Sequence, residues 1–458
     1  MTGRTSVGDE AAETVIVPDG VVAATGAAAE VAGATLLDVG PAVLMPGFVN
    51  AHQHGRGLSQ ILLGYPDDHL EAWVNRRRAR GLLNAFPLVQ LAALRMLANG
   101  VTSCLHANWS YGGPHEAELD ATLRAYDAAG IRAAVMVGVA DRGALIYPNR
   151  DEQAFLQSLP AEARTVAATV RHHAFLHEAS EAAAIHDRLS LAWRGRPLLS
   201  LGFGPAGPQW VSDQLFAEVA AAAKARQAPL HFHLLESPAQ AKACAQLYPE
   251  GVARRLAQLG ILAPNVSAAH GVFLSDDDLQ IMASCGVTMV ANPGSNLRLG
   301  NGAPRYAAWR AAGLKIALGG DDTELADDRD PWGELRLFAA LARPGDNASP
   351  PGPSALERLA MATEAGAMAL GLQGKIGRLV PGFAADVIAV DPSAATTPWR
   401  DQDMPLLEAM FARSSGRDIR MTMVAGRVLY RDGTFTHASI KDVAKGAAEC
   451  AEKARLHP

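Results

Sequence analysis

PGFVNAHQH, residues 46–54, is the stretch on which the reading of the fold turns. With the apolar AVLM ahead of it, it reads as one β-strand over 42–54 that closes in two histidines, His52 and His54. Successive side chains of a strand alternate between its faces, so these two point to the same side. An open doubly wound sheet would carry a Gly-rich phosphate turn after its first strand, and this run has none.

Working outward, seven further short apolar or β-branched runs follow: VTSCLHA (101–107), RAAVMVGVAD (132–141), LLSLGFGPA (198–206), LHFHLLE (230–236), VSAAH (266–270), TMVANP (288–293) and KIALGGDD (315–322). Between them lie stretches such as PLVQLAALRMLANG (87–100) and SDQLFAEVAAAAKARQA (212–228), whose apolar residues recur at three and four as in amphipathic helices. Alternating strand and helix implies a parallel sheet, and eight strands are enough to close one, so a (β/α)8 TIM-like barrel is expected over 46–371. The remaining pieces, 1–45 and 372–435, hold short strand-like runs (TVIVPDG, ATLLDVG, DVIAVD, RMTMVAGRVLYRDG). Neither is large enough to bury a core alone, so the two are expected to pair into one small β-sandwich domain built from both chain ends. Residues 436–458 read as a terminal helix, and NASPPGPSA (347–355) as a loop.

The composition of the 458 residues narrows the function classes. Hydrophobic residues make up 49% and charged residues 19%, as in soluble globular proteins and unlike disordered ones. Forty-one Lys+Arg against 47 Asp+Glu leave a net charge of −6, with no basic field to recruit nucleic acid or an anionic membrane. The opening residues have no basic-then-apolar leader pattern, and no apolar run is long enough to span a bilayer. Cys104, Cys244, Cys285 and Cys450 stand singly, which is neither a disulfide framework nor a thiolate zinc site, so a cytoplasmic location is expected.

In a parallel barrel the chemistry sits at the carboxyl ends of the strands. The polar residues that interrupt the apolar strands fall there: His52 and His54 on the first, His233 and Glu236 on the fifth, His270 on the sixth, Asp321 on the eighth. Imidazoles and a carboxylate converging on one point suit a divalent transition metal. Taken alone, each histidine has a plainer reading as a core residue bonded to a carbonyl; the recurrence of polar residues at four strand ends is what favours a site.

These residues carry a resemblance. PGFVNAHQHGRGLSQILLGYPDDHLEAWV (46–74), HLLE (233–236), AAH (268–270), NPGSNLRLGNGAP (292–304) and LGGDD (318–322), in this order, resemble the amidohydrolase superfamily. The segment ending in DDxLxxW is similar to its aminohydrolase branch, which holds deaminases of cytosine, guanine and adenosine-like compounds and triazine hydrolases. GKIGRLVPGFAADVIAVD (374–391) and VAGRVLYRDG (424–433) are similar to that family's C-terminal β-domain signature. The likeness covers about residues 40–432 and implies that His52, His54, His233 and Asp321 are metal ligands. It implies that Glu236 shuttles a proton and that His270 polarises the substrate, with Glu236, His270 and Asp321 as the catalytic set. A metal would lower the pKa of its water toward ~7, giving a hydroxide that attacks an sp2 carbon and cleaves a non-peptide C–N bond. A second metal in this superfamily needs a Lys or Glu at the end of strand four, and LLSLGFGPAGPQW (198–210) has neither; one divalent ion is therefore expected, zinc foremost, with iron, manganese and cobalt equally suited to the ligand types.

The sequence also departs from the usual pattern, with Gly55 and Arg56 after HxH and Asp322 after Asp321, so an unusual pocket wall is expected. Arg56, Asp322, Trp73, His106, Asn108 and Asn296 are candidate substrate contacts; His106 and Asn108 read equally well as structural hydrogen-bonding groups, and Trp73 with Tyr65 and Asp68 as a loop packed on itself. NRRRAR (75–80) reads as a solvated helix face, and RHHAFLH (171–177) as part of a helix rather than a metal site. The expected partner is a small molecule, with a homodimer left open. An acyclic amide, carbamate or phenylurea substrate is the alternative within this fold, and a catalytically dead binding barrel the alternative outside it; joint retention of Glu236 and Asp321 argues against the latter.

Overall fold

The computed structural model describes residues 2–6, 11–26, 35–78, 83–110, 113–142, 147, 152–165, 175–343 and 352–456. Their strands are β1 (Thr2–Ser6), β2 (Ala11–Ile16), β3 (Ala24–Gly26), β4 (Asp38–Pro46), β5 (Phe48–Gln53), β6 (Val101–Ala107), β7 (Arg132–Val139), β8 (Leu199–Pro205), β9 (Leu230–Leu234), β10 (Val266–His270), β11 (Thr288–Ala291), β12 (Lys315–Leu318), β13 (Val387–Val390), β14 (Ile419–Val424), β15 (Arg427–Arg431) and β16 (Thr434–Phe435). β5 to β12 run in chain order through one eight-stranded sheet, and every pairing within it is parallel. The barrel closes where the backbone N–H groups of Gly320 and Asp321 donate to the His52 carbonyl at 3.1 and 2.8 Å. No ladder joins β5 to β12 among the described residues, so those two bonds mark its seam.

The expected strand over 42–54 is in fact two. Pro46 has no N–H to extend a ladder, and Gly47 passes so close to Thr102 that a Cβ would stand 2.2 Å from its Cγ2. The chain turns at this point, leaving β4 in a second sheet and starting the barrel with β5. That sheet runs β16-β15-β14-β13-β4-β1-β2-β3, so strands from both chain ends share it, with β4 paired to β13 antiparallel and to β1 parallel. Leu44, Val387, Ala389 and Met421 are among the residues of its own core. Arg132 of β7 ties it to the barrel through a buried two-pronged pair with Asp386, both contacts 3.2 Å.

The outer core lies between strands and helices, with Phe48 edge-on to Trp332 at 5.2 Å. A smaller cluster fills the barrel, including Val49, Ala51, Leu105, Ala134, Met136 and Val290. The helices follow their caps: Ser212 caps Asp213–Ala225, and Ser275 with Asp278 forms a capping box on Asp276–Ser284. The terminal helix Ile440–Leu456 packs Ala447 onto Leu88 and Leu91 of the helix Ala85–Ala98. Residues 171–174 lie outside the described residues; Phe175–His177 is not helical, because Leu176 bridges to Val139 alongside β7. No helix among the described residues is long and apolar enough to cross a membrane.

Candidate metal centre and active site

β5 delivers its histidines by an irregularity that alternation alone does not foresee. Phe48 and Asn50 face outward, toward Trp332 and Met96, while Val49 and Ala51 face the interior. Strict alternation would send His52 outward with them. The register against β6 slips between Asn50 and Gln53, a bulge that turns His52 inward and leaves Gln53 outward, where its Nε2 donates to Tyr126 Oη at 2.7 Å. Strand-end strain recurs around the rim: His270 (φ 75°), Asp321 (φ 57°) and Leu235 (φ 46°) all have left-handed backbones.

The side chains expected at the centre meet there. Asp321 Oδ1 lies 3.6 Å from His52 Nε2 and 3.3 Å from His54 Nε2, and His54 Nε2 lies 3.4 Å from His233 Nε2. His270 Nε2 stands 3.6 Å from Glu236 Oε2 and 3.9 Å from Asp321 Oδ2. All are buried. The outer ring nitrogens fix the inner ones. His54 Nδ1 meets the Ala107 carbonyl at 2.6 Å and His233 Nδ1 the Ala206 carbonyl at 2.9 Å; a carbonyl only accepts, so both Nδ1 atoms carry the proton and both Nε2 atoms present lone pairs. His52 Nδ1 bonds His231 Nε2 at 2.7 Å, and His231 Nδ1 bonds Ser267 Oγ at 2.7 Å. His270 Nδ1 is held by Asn296 Oδ1 at 2.9 Å.

Electrostatics agrees with neutral rings. Burial lowers His52, holds His233 and His231 well below the usual imidazole range, and pushes His270 down to about 3. Burial raises Glu236 well above the usual carboxylate range, with the charges of Asp321 and Glu71 adding to it, which favours its protonated form. Burial works the same way on Asp321, but the His52 and His54 rings beside it outweigh that effect and hold the carboxyl well down.

The donor set fits a divalent transition metal. His52, His54 and Asp321 offer ligand atoms within 4.8 Å of one another, as do His52, His233 and His270. His52 Nε2 and His270 Nε2 are fully buried and have no hydrogen-bond partner among the described residues, a costly condition for a polar atom unless something else engages it.

The remaining expected residues fall into three groups. Arg56 and Asp322, two of the departures from the family pattern, meet: Arg56 Nε lies 3.6 Å from Asp322 Oδ2, and Arg56 Nη2 donates to the Trp109 carbonyl at 3.1 Å. The third departure, Gly55, has a steric reason, since at φ 70° its Cβ would stand 2.6 Å from His106 Cε1 and 2.7 Å from Val89 Cγ2. His106 points to the helix side, with Nδ1 2.8 Å from Tyr126 Oη, which is the structural one of its two readings. Asn108 is buried beside it at the end of β6, and Asn296 acts on His270. Trp73 is not in a loop: it lies on the helix Leu70–Arg78 and packs with Tyr65, Leu70 and Leu299. Asp68 pairs with Arg76 of that helix at 2.6 Å.

Several residues at the site escaped the sequence reading. His231 shares the inward face of β9 with His233, so LHFHL repeats the HxH spacing of β5, a signal that was there to be read. Asn301 donates to Glu236 Oε1 at 3.1 Å and Ser295 Oγ to Asp321 Oδ2 at 2.7 Å; both sit in NPGSNLRLGNGAP but have no spacing rule of their own. Glu71 accepts from Tyr147 Oη at 2.7 Å and from Ser237 Oγ, next to Glu236. Trp109 stands over the histidines, 6.5 Å from His54 and 6.1 Å from His233, and is edge-on to Trp210 at 5.5 Å.

A closed parallel barrel with buried imidazoles and a carboxylate gathered at its carboxyl rim defines a metal-dependent hydrolase of the TIM-barrel class. The chain belongs to the Amidohydrolase family, which it matches over residues 43–429. It is a hydrolase of carbon–nitrogen bonds other than peptide bonds. A 5-methylthioadenosine/S-adenosylhomocysteine deaminase of Nitratidesulfovibrio vulgaris is 32% identical, over 94% of this chain and 90% of that one. A 5'-deoxyadenosine deaminase of Methanosarcina mazei is 28% identical, over 99% and 96%. Among solved structures, a zinc-bound adenosine deaminase from Xanthomonas campestris superimposes with a TM-score of 0.78 at 23% identity, covering 99% of this chain and 98% of that one. An atrazine chlorohydrolase from Arthrobacter aurescens, complexed with zinc, does so with 0.79 at 20%, covering 98% of each. At these identities the two structures speak for the fold.

Proposed function

We propose that this chain is a zinc-dependent aminohydrolase that releases ammonia from an amidine-like carbon of a planar nitrogen ring, with adenosine-type nucleosides as the leading substrate class. The observation that carries the reading is the convergence of His52, His54, His233 and Asp321 beside Glu236, whose carboxyl burial holds well above its usual range. The deaminase relatives support the substrate class. Zinc in a superimposable adenosine deaminase supports the metal.

The three imidazole Nε2 atoms and the Asp321 carboxylate would hold the ion. When bound, it supplies Lewis acidity, lowering the pKa of a water toward ~7 and polarising the carbon under attack. Glu236, held by Asn301 on Oε1 and bonded through its backbone N–H to Gln240 Oε1, donates its proton to a ring or leaving nitrogen. Neutral His270, steered by Asn296, presents a free Nε2 to the same substrate centre. Trp109, edge-on to His54, His233 and Trp210, places an aromatic wall beside the centre where a flat ring could pack. A C–O bond forms as an O–H bond of water breaks, the C–N bond breaks, ammonia leaves with the proton from Glu236, and the proton given up by water restores Glu236.

The test is ammonia release by the purified holoenzyme from adenosine-type nucleosides, other aminated heterocycles, ureas and amides. Release from a heterocyclic amine is expected, and Glu236→Gln should retain metal while losing ~10²- to 10⁴-fold in turnover. Turnover confined to ureas or amides, or wild-type activity in Glu236→Gln, would overturn it.

A further inference from the structure

We infer that Arg329 is a positioning residue of the metal site: its guanidinium clamps the loop that carries His54 to the loop that carries Asp321 across the barrel seam. Arg329 Nη1 donates to the Asp321 carbonyl at 2.6 Å and Nη2 to the Arg56 carbonyl at 2.5 Å. One planar fork therefore spans the ends of the first and last barrel strands. It works beside the Arg56–Asp322 pair and the bond from the Gly320 N–H to Asn50 Oδ1 at 3.0 Å. β5 and β12 share no ladder among the described residues, and the bonds from Gly320 and Asp321 to the His52 carbonyl are the main-chain contacts that close the barrel. Everywhere else around the barrel, neighbouring ligand-bearing strands are set by parallel pairing. At the seam they are set by a few discrete bonds, two of which this side chain makes.

The arginine is itself built into place. It is 5% exposed, and its own N–H donates to Glu324 Oε2 at 2.6 Å while Glu324 Oε1 lies 3.4 Å from Nη1. Its backbone is left-handed, φ 64°, a conformation an arginine adopts only when its surroundings impose it. A charge is costly to bury; Glu324 balances it, and the two shorter guanidinium bonds go to carbonyls, so the placement serves geometry as well as charge neutralisation. The same assembly absorbs two of the sequence's departures. Arg56, whose carbonyl Arg329 grips, reaches with its side chain to Asp322 and to the Trp109 carbonyl beyond the end of β6, and Asp322 N–H donates to Asp321 Oδ1 at 2.7 Å. Three strand ends are thus tied at one corner of the metal centre.

The inference rests on reading His54 and Asp321 as ligands. Its test compares the full-length enzyme with Arg329→Met and Arg329→Lys, and with Arg358→Lys as a buried arginine paired with Glu408 away from the site. Zinc affinity is read by chelator competition, ligand geometry by the visible spectrum of the cobalt-substituted protein, and folding by thermal denaturation without metal. Arg329→Met should weaken zinc binding ~10- to 100-fold and shift the cobalt bands. Arg329→Lys should fall between it and wild type, because a single ammonium cannot match the two-carbonyl fork. Arg358→Lys should lower thermal stability alone. If Arg329→Met does not fold, Arg329→Lys decides. Wild-type affinity and cobalt spectrum in a folded Arg329 variant would overturn the clamp and leave the ligand reading standing, whereas a wild-type protein that binds no metal would bring down both.

Discussion

His52 Nδ1 stands 2.7 Å from His231 Nε2, so an inward-facing imidazole of β5 is braced by an imidazole of β9 that is itself anchored on Ser267. The relay sets which nitrogen of His52 carries the proton. Replacing His231 by Phe should leave the barrel folded but release that ring. Metal affinity is expected to drop ~10- to 100-fold, the usual effect of losing a group that orients a ligand. Chelator competition reads it, and unchanged affinity would mean that packing alone orients His52.

Elemental analysis of the purified protein should return one divalent ion per chain. β8 ends in Gly204 and Pro205, and His233 occupies the Ala206 carbonyl there, leaving no carboxylate or amine at the fourth strand end to bridge a second ion. His54→Ala should abolish stoichiometric metal. Two tightly held ions per chain would contradict the site as described.

Acid sensitivity should trace partly to His106. Burial pushes its pKa from the usual 6.5 down to about 3, so the folded chain keeps it neutral where the unfolded chain protonates it. Its contribution to stability is complete above pH 6.5 and drains away as pH falls toward 3, at up to about 1.4 kcal/mol per pH unit. Denaturant titrations of metal-free protein between pH 6.5 and 4.5 should show a shallower decline for His106→Gln, by about one proton. Equal slopes would remove His106 from the account.

Much of this was legible in the chain. The eight strand–helix alternations, the HxH pair and the polar residues closing three other runs placed the barrel and its reactive corner, because burial pattern and strand-end polarity are local signals. What failed was local too, but geometric. Pro46 and Gly47 break an apolar run that looks continuous, and only the closeness of Thr102 shows why. The bulge in β5 leaves no mark in residue types, so the inward turn of His52 had the right outcome by an incomplete argument. His106 sits at a strand end like its neighbours yet faces the helices, since one residue decides the side. Asn301, Ser295 and Arg329 act across long chain separations, where sequence offers no spacing to read.

The passage from β4 to β5 through the single residue Gly47 bears on how the enzyme can be engineered. Five residues separate the centre strand of the peripheral sheet from His52, so the catalytic barrel is not a detachable cassette. Trimming either chain end to obtain a minimal hydrolase would unzip β4 from β1 or β13 and slacken the first strand at its root. Grafted tags and fusions belong on the outer edges of that sheet, far from the hinge that feeds the metal centre.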